Sequence, residues 1–306
     1  MKNNLILFAL LELFFFFYPF YLGAEQIIIK DDSGHPIILT SPAKRIVSLY
    51  PALSEIIDAL EIEDRVVGVT KRDPLSSKVP DITIVGTHMR PNLEIILGLK
   101  PDLVLQGSSR HDAVLVTEAL KRRSIQVALF YPHTFEQLFS TFKRIGILLG
   151  AKGKADKLAK NIEERLLKVS LIYPTYNPRP KVFFEINRAH LLAAGTKNIV
   201  NDIILKAGGT NVVNVPKRIV RFNREALLKA KPDIYIIQKG PMNRGASSTF
   251  NSAFFSSIPA IANGNILVVD EYLFSRPGPN SIKAVEILAR FIHDHFPYSK
   301  TNDKQE

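Results

Sequence analysis

The sequence contains no cysteine and no tryptophan among its 306 residues. Without cysteine, the chain can form neither a disulfide nor a thiolate metal site, and it has neither a thiol nucleophile nor a cysteine that could carry a lipid. After residue 24, no segment approaches the roughly 18 consecutive apolar residues of a membrane-spanning helix. The remaining composition, 46% hydrophobic and 23% charged, is typical of a folded globular protein.

The first 24 residues form a separate apolar segment, "MKNNLILFALLELFFFFYPFYLGA". One lysine near the start, a long apolar run and a small-residue end indicate a secretory signal peptide cleaved after Ala24. The alternative is an uncleaved anchor, because about 20 largely apolar residues can span a bilayer. Export without a cysteine for a lipid anchor predicts a periplasmic protein.

The chain is basic, with a formal net charge of +11. Removing residues 1–24 takes away one basic and one acidic side chain, Lys2 and Glu12, so the excess is unchanged. No nucleic-acid partner is expected, because the chain is exported and has no recognised reader motif. The charge is explained by a solvated basic surface, by attraction to an anionic membrane, or by an anionic ligand if the basic groups gather in a cleft.

Short apolar strands alternate with helices over residues 45–131 and again from residue 181. This pattern is typical of parallel sheets covered by helices on both faces. Between the two regions, residues 134–172 have helical periodicity alone, and Thr134 with Gln137 matches a capping box. We therefore predict an α/β protein of two Rossmann-like lobes with parallel-type sheets, residues 25–150 and 174–306, bridged by one long α-helix over residues 151–173.

One segment occurs twice, 131 residues apart: "NLEIILGLKPDLVL" over residues 92–105 and "NREALLKAKPDIYI" over residues 223–236. Asn is a favoured N-cap, so each copy predicts a short helix that begins after an asparagine. Glu94 and Glu225 then occupy the second helical position, where the helix dipole favours a negative charge. That electrostatic effect explains a carboxylate at this position without requiring glutamate in both copies.

In parallel α/β lobes, ligands bind at the carboxyl ends of the strands. The loops predicted at those ends are rich in arginine, histidine and tyrosine, which suits an anionic ligand. The candidate ligand-binding residues are Tyr50, Arg72, His88, Arg90, Arg110, Tyr131, Arg188, Arg218, Arg244 and Arg276.

An exported α/β enzyme is the alternative class, and the sequence gives it little support. There is no G-x-S-x-G, H-E-x-x-H, G-x-G-x-x-G or P-loop motif, and the cleft-side loops lack a close carboxylate pair. His293 and His295 lie two positions apart on a predicted helix, where their side chains point in different directions. We therefore expect no catalytic residues, no metal site and no cofactor.

Five stretches resemble the substrate-binding proteins of ABC importers for vitamin B12, haem and ferric siderophores. They are "RIVSLYPALSEIIDALEIEDRVVGVT", "GTHMRPNLEIILGLKPDLVLQ", "AAGTKNIVNDIILKAGGTNVV", "NREALLKAKPDIYII" and "SRPGPNSIKAVEILARFIH", which together run from Arg45 to His293. The resemblance implies a monomer that binds its ligand between two lobes joined by a rigid helix. It also implies that Glu94 and Glu225 dock onto arginine-rich pockets of a permease dimer in the inner membrane, one glutamate per lobe.

The resemblance leaves the ligand open. The first and third stretches are most similar to the vitamin B12-binding branch, which favours a corrinoid. The lack of tryptophan, and Ile219 at a position where an aromatic would suit a corrin ring, depart from that branch. Haem or a ferric siderophore is therefore the alternative ligand. For haem, Tyr50, Tyr131, Tyr272 or His88 is a candidate axial ligand.

Overall fold

The computed structural model describes residues 26–107, 111–173, 176–247, 250 and 253–296, with residues 111–113 described by their backbone alone. The predicted signal peptide and Arg110 lie outside the described residues. Among the helices that the structure does describe, none combines the length and the apolar character needed to cross a membrane.

The N-terminal lobe begins with a hairpin, β1 (Ile27–Lys30) and β2 (Pro36–Leu39), and continues into a five-stranded sheet. The sheet has the order β5-β4-β3-β6-β7, and every pairing in it is parallel. Its strands are β3 (Ile46–Ser48), β4 (Val66–Val69), β5 (Thr83–Ile84), β6 (Leu103–Gln106) and β7 (Gln126–Leu129). The helices between them are α1 (Pro51–Ala59), α2 (Leu93–Gly98) and α3 (His111–Lys121), with short 3-10 helices at Glu63–Arg65 and Pro74–Ser77.

The C-terminal lobe is built on a six-stranded sheet that is mixed rather than wholly parallel. Its strands are β8 (Lys181–Asn187), β9 (Leu192–Ala194), β10 (Thr210–Asn211), β11 (Ile219–Arg221), β12 (Ile234–Lys239) and β13 (Ile266–Asp270). β8, β10, β12 and β13 pair in parallel as predicted, whereas β9 pairs antiparallel with both β8 and β11. The helices are α6 (Ile199–Lys206), α7 (Arg224–Ala230), α8 (Ala253–Ser256), α9 (Pro259–Ala262), α10 (Glu271–Phe274) and α11 (Ser281–His295).

Two helices lie between the sheets in the sequence, α4 (Phe135–Leu148) and α5 (Lys152–Ile172). The Thr134 hydroxyl accepts the amide of Gln137 at 3.2 Å, as the capping signature predicts. Gly150 separates the two helices with a φ of 67°, a conformation that favours glycine. α5 is tied to the N-terminal lobe by an ion pair between Lys154 and Glu61, and to α11 by the bidentate pair of Arg165 with Glu286.

The largest hydrophobic cluster of the described residues spans both lobes. It joins buried residues of the first sheet, of α4 and α5, and of the second sheet with α6 and α11. A polar contact also crosses between the lobes, because the buried carboxylate of Asp202 in α6 accepts the backbone N–H of Phe135 at 2.7 Å. That carboxylate satisfies one of the free donors at the start of α4. The two lobes are therefore joined by both apolar burial and a buried hydrogen bond.

The repeated segment forms the same structure in both lobes. The side chains of Asn92 and Asn223 cap α2 and α7 by accepting the amides of Ile95 and Ala226, at 3.1 and 2.6 Å. The prediction of two asparagine-capped helices is therefore confirmed.

The end of the repeat also has a structural role. Lys100 and Lys231 both have left-handed φ values, 46° and 45°, where the chain leaves each helix. Asp102 then accepts the backbone N–H groups of Lys44 and Arg45, at 2.8 and 3.0 Å, and Asp233 accepts that of Lys181 at 2.7 Å. Each aspartate thus anchors the start of the neighbouring strand, which accounts for the aspartate in both copies.

Candidate functional site

A cavity of about 360 Å³ lies between the lobes, within the usual range for small-molecule sites. The N-terminal lobe contributes residues that follow β3, β4, β5 and β7, and the C-terminal lobe contributes residues at or after the ends of β12 and β13. Ligands of open α/β sheets bind at this edge. The cavity therefore occupies the position that the sequence predicted for the ligand.

Six of the ten predicted ligand-binding residues line this cavity: Tyr50, Arg72, His88, Tyr131, Arg218 and Arg276. Arg90 and Arg244 are exposed and do not line it. Arg188 does not line it either, and Arg110 lies outside the described residues.

Arg188 is directed into its own lobe rather than toward the cavity. Its Nε donates to both carboxylate oxygens of Glu185, at 3.2 and 3.1 Å, and its guanidinium stacks on Phe250 with 4.2 Å to the ring centroid. Glu185 is fully buried and also accepts the hydroxyl of Tyr235 at 2.6 Å and the amide of Asn243 at 3.1 Å. Burial raises the pKa of the Tyr235 hydroxyl, and the adjacent Glu185 charge raises it further. Arg188 therefore neutralises a buried carboxylate and holds the loop after β12.

Several residues of the cavity wall were not predicted from the sequence. They include Ile186 near the end of β8, Asn198 and Ile199 at the start of α6, and Gln238 and Glu271 beside β13. Gln238 carried a usable signal in the sequence, because a glutamine follows the largely apolar run "IYII" within the strand "IYIIQK". It is fully buried, and its carbonyl oxygen accepts the hydroxyl of Ser275.

Tyr50 lies on the N-terminal side of the cavity, immediately before α1. Its backbone is extended and its carbonyl accepts the amide of Leu53 at 2.9 Å, so the start of the helix orients the residue. The ring packs so closely on Gly107 that a Cβ there would lie 2.3 Å from Cδ1 of Tyr50. Burial raises the pKa of the Tyr50 hydroxyl, although the positive charges of Arg218 and Arg276 oppose that shift. The hydroxyl therefore stays protonated at neutral pH and forms no hydrogen bond with any described residue.

Tyr131 and His133 form a second group on the same wall, with ring centroids 5.8 Å apart. The Tyr131 hydroxyl donates to the carbonyl of Asp32 at 2.8 Å, and the Asp32 carboxylate accepts the backbone N–H of Tyr131 at 2.7 Å. These bonds hold Tyr131 against the β1–β2 turn. Burial lowers the pKa of His133, and the charges of Arg218 and Lys197 lower it further, so this imidazole is neutral at pH 7.

Arg276 is the cavity cation with the most protein partners. Its guanidinium lies 3.7 Å from the Tyr272 ring centroid and 3.6 Å from the carboxylate of Glu55, which belongs to the other lobe. Glu55 also accepts the side-chain amide of Asn280 at 3.3 Å, and burial raises the pKa of its carboxyl group. Arg276 thus forms part of the contact between the lobes, and much of its charge is compensated within the protein.

Glu94 and Glu225 are exposed, each at the second position of its helix, and neither forms an ion pair with another residue that the structure describes. α2 follows the parallel strand β5, and α7 follows β11, which runs in the same direction as β8 because both are antiparallel to β9. Both helices therefore begin at the carboxyl edge of their sheets. The two carboxylates occupy equivalent, solvent-accessible positions in the two lobes.

The comparisons with known proteins agree with this architecture. The uncharacterized ABC transporter substrate-binding lipoprotein YvrC of Bacillus subtilis is 29% identical over 87% of this chain and 85% of its own length. A cobalamin-binding protein of Halobacterium salinarum is 24% identical over 86% of this chain and 73% of its own length.

Solved structures share the fold at lower identity. The vitamin B12-binding protein BtuF of Vibrio cholerae superposes with a TM-score of 0.71 at 19% identity, covering 84% of this chain and 99% of that chain. The haem-binding protein HutB of the same species gives 0.70 at 22% identity, covering 81% and 98%. Residues 46–273 match the family described as periplasmic binding protein. The chain therefore belongs to the periplasmic binding protein family and has the two-lobed α/β fold of the substrate-binding components of ABC import systems.

Proposed function

We propose that this protein captures a corrinoid in the cavity between its lobes and delivers it to a membrane permease through Glu94 and Glu225. Two curated relatives that cover most of the chain are named for cobalamin or vitamin B12 binding, at 24% identity each. The observation that carries the proposal is the cavity, which lies at the carboxyl edge of both sheets and presents Tyr50 and Tyr272 to a ligand. Aromatic rings of this kind suit the apolar faces of a large macrocycle.

A second candidate is an anionic iron chelate, namely haem or a ferric siderophore. The cavity wall carries Lys71, Arg72 and Arg218, none of which is ion-paired with a described residue. Uncompensated cations of this kind favour carboxylate-bearing ligands through charge-assisted hydrogen bonds.

Titration of the purified protein distinguishes the two candidates. Cyanocobalamin, haemin and a ferric hydroxamate are each titrated by absorbance and by quenching of tyrosine fluorescence. We expect saturable one-to-one binding of cyanocobalamin with the highest affinity. Tighter binding of haemin or of the hydroxamate would assign the second function, and binding of none of the three would contradict both.

The docking role rests on the exposed, equivalent glutamates. A carboxylate against arginine forms a charge-assisted and often bidentate contact, which suits reversible attachment to a permease. In an uptake assay with the cognate permease, the double variant Glu94→Ala/Glu225→Ala is expected to abolish transport while ligand affinity stays unchanged.

Glu136→Ala is the matched control, because Glu136 is also an exposed carboxylate at the second position of a helix. This control is expected to transport normally, since it removes only a helix-start charge. Normal transport by the double variant would contradict the docking role.

The remaining parts of the proposal concern location and class. We propose a periplasmic monomer that is exported by a signal peptide cleaved after Ala24 and carries no lipid anchor, and we assign it no enzymatic activity. N-terminal sequencing of the protein from a periplasmic extract tests the cleavage, with Glu25 as the expected first residue. An intact N-terminus in the membrane fraction would instead support the uncleaved anchor.

A further inference from the structure

Arg72 has an unusual backbone conformation at the wall of the cavity. Seven non-glycine residues of the described chain have a left-handed φ, and Arg72, at 68°, is the one among them that lines the cavity. It occupies the third position of a turn in which the amide of Asp73 donates to the carbonyl of Thr70 at 3.2 Å. Glycine or asparagine is preferred there, because a side chain with a Cβ is strained at positive φ.

The surrounding structure holds Arg72 in this conformation. On one side, the amide of Lys71 donates to the carbonyl of Gly86 at 2.7 Å. On the other side, the buried carboxylate of Asp73 accepts the amide of Leu75 at 3.0 Å and the hydroxyl of Ser54 at 2.7 Å. The Arg72 side chain is exposed and forms neither an ion pair nor a hydrogen bond with any described residue. No contact within the described part of the protein therefore accounts for an arginine at this strained position.

Arg218 supplies a second cation from the opposite lobe. Its carbonyl accepts the amide of Gly195 at 3.3 Å and the side-chain amide of Asn198 at 3.0 Å, which fixes the loop before β11. Gly195 leaves no room for a side chain, since a Cβ there would lie 2.2 Å from the carbonyl oxygen of Lys217. The Arg218 guanidinium is exposed and has no carboxylate partner among the described residues, in contrast to Arg276. Two arginines with fixed backbones, and with no carboxylate partner among the described residues, thus line one cavity from different lobes.

We propose that Arg72 and Arg218 bind an anionic oxygen group of the ligand, a carboxylate or a phosphodiester, between the two lobes. The guanidinium geometry matches both groups bidentately. Strained backbone positions cluster at functional sites, and Arg72 is held in one at the cavity wall. This inference rests on the proposed function and adds the charge of the group that the ligand presents to the cavity.

Two matched ligand pairs test the proposal and separate the two sources of the anion. Haemin is compared with its dimethyl ester, which lacks the free carboxylates, and cyanocobalamin with cobinamide, which lacks the nucleotide loop and its phosphodiester. In at least one pair, we expect the wild-type protein to bind the member that carries the anionic group roughly 10- to 100-fold more tightly than the member that lacks it. The pair that shows the difference identifies the group.

Three variants separate charge from strain. Arg72→Ala removes the charge and keeps the strained backbone, and Arg218→Ala removes the opposing charge. Each is expected to bring the affinity for the anionic ligand close to that of its neutral analogue. Arg72→Gly also relieves the strain, so its thermal midpoint should rise by about 2–4 °C while the same affinity is lost.

Ser124→Gly is the control for strain alone, because Ser124 has a φ of 61° and lies outside the cavity. It should raise the thermal midpoint and leave affinity unchanged. If wild type binds both members of each pair with equal affinity, or if both alanine variants keep the preference of wild type, the anion inference is overturned while the proposed function stands. If wild type binds no member of either pair, the corrinoid and haem functions fail and this inference fails with them.

Discussion

The contact between Gly107 and Tyr50 permits a quantitative test of the cavity wall. A Cβ on residue 107 would lie 2.3, 2.4 and 2.6 Å from Cδ1, Cγ and Cβ of Tyr50, whereas ordinary van der Waals contact begins at 3.4 Å. In the variant Gly107→Ala the Tyr50 ring must therefore move by about 1 Å or more, or residue 107 must shift away from it.

Overpacking of this size typically destabilises a protein by about 1–3 kcal/mol, which corresponds to roughly 2–4 °C in thermal midpoint per kcal/mol. Because Tyr50 lines the cavity, we also expect the affinity for the ligand to fall by up to about tenfold, the value of one displaced aromatic contact. Thermal unfolding and ligand titration of the same preparation measure the two effects.

Gly153→Ala provides the matched control, since Gly153 lies in α5 with no heavy atom within 4 Å of an added Cβ. This control should be neutral or slightly stabilising, because Gly153 is the second residue of the helix, and it should bind ligand normally. A double-mutant cycle adds a stricter requirement, namely that Gly107→Ala becomes nearly neutral in a Tyr50→Ala background. Equal destabilisation by Gly107→Ala in both backgrounds would refute the proposed steric cause.

Three further predictions concern buried polar groups. Burial raises the pKa of Asp73 from 3.8 to about 6, so its ionised form destabilises the folded state above that pH and the penalty is relieved as the pH falls. Between about pH 7.5 and pH 4.5, the free energy of unfolding of wild type relative to Asp73→Asn should therefore rise by about 2 kcal/mol; a pH-independent difference would contradict this. Asp202→Ala leaves the amide of Phe135 buried without its acceptor, so its free energy of unfolding, measured in urea, should be about 1–3 kcal/mol lower than that of wild type. An unchanged unfolding midpoint would show that this bond between the lobes is dispensable. Tyr235→Phe removes one hydrogen-bond donor from the buried carboxylate of Glu185 and should lower the free energy of unfolding by about 1–3 kcal/mol in the same assay. An unchanged free energy of unfolding would contradict a stabilising role for this hydrogen bond.

Local features of the fold were predictable from neighbouring residues. The caps at Asn92, Asn223 and Thr134 each depend on a hydrogen bond that spans three residues. Such interactions are encoded in the immediate sequence, so the start of each helix could be predicted without knowledge of the tertiary structure. The antiparallel pairing of β9 and β11 was not predicted, because these three-residue strands are too short for a periodic signal.

The basic loop residues show where prediction from sequence ends. Arg188 and Arg218 are indistinguishable as arginines in predicted loops, yet Arg188 is directed onto Glu185 and Arg218 lines the cavity. Tyr235, a second partner of Glu185, comes from 50 residues further along the chain, where no local pattern indicates the contact. The strained backbone of Arg72 is likewise visible only in the folded chain.

By itself, the sequence determined the two lobes, the helix between them and the duplicated glutamate, because hydrophobic periodicity and caps act over a few residues. The tertiary structure alone decided which cations face the cavity and which are neutralised inside the protein. That choice depends on carboxylates and rings brought together from distant strands, and a buried charge is tolerated only where such partners converge.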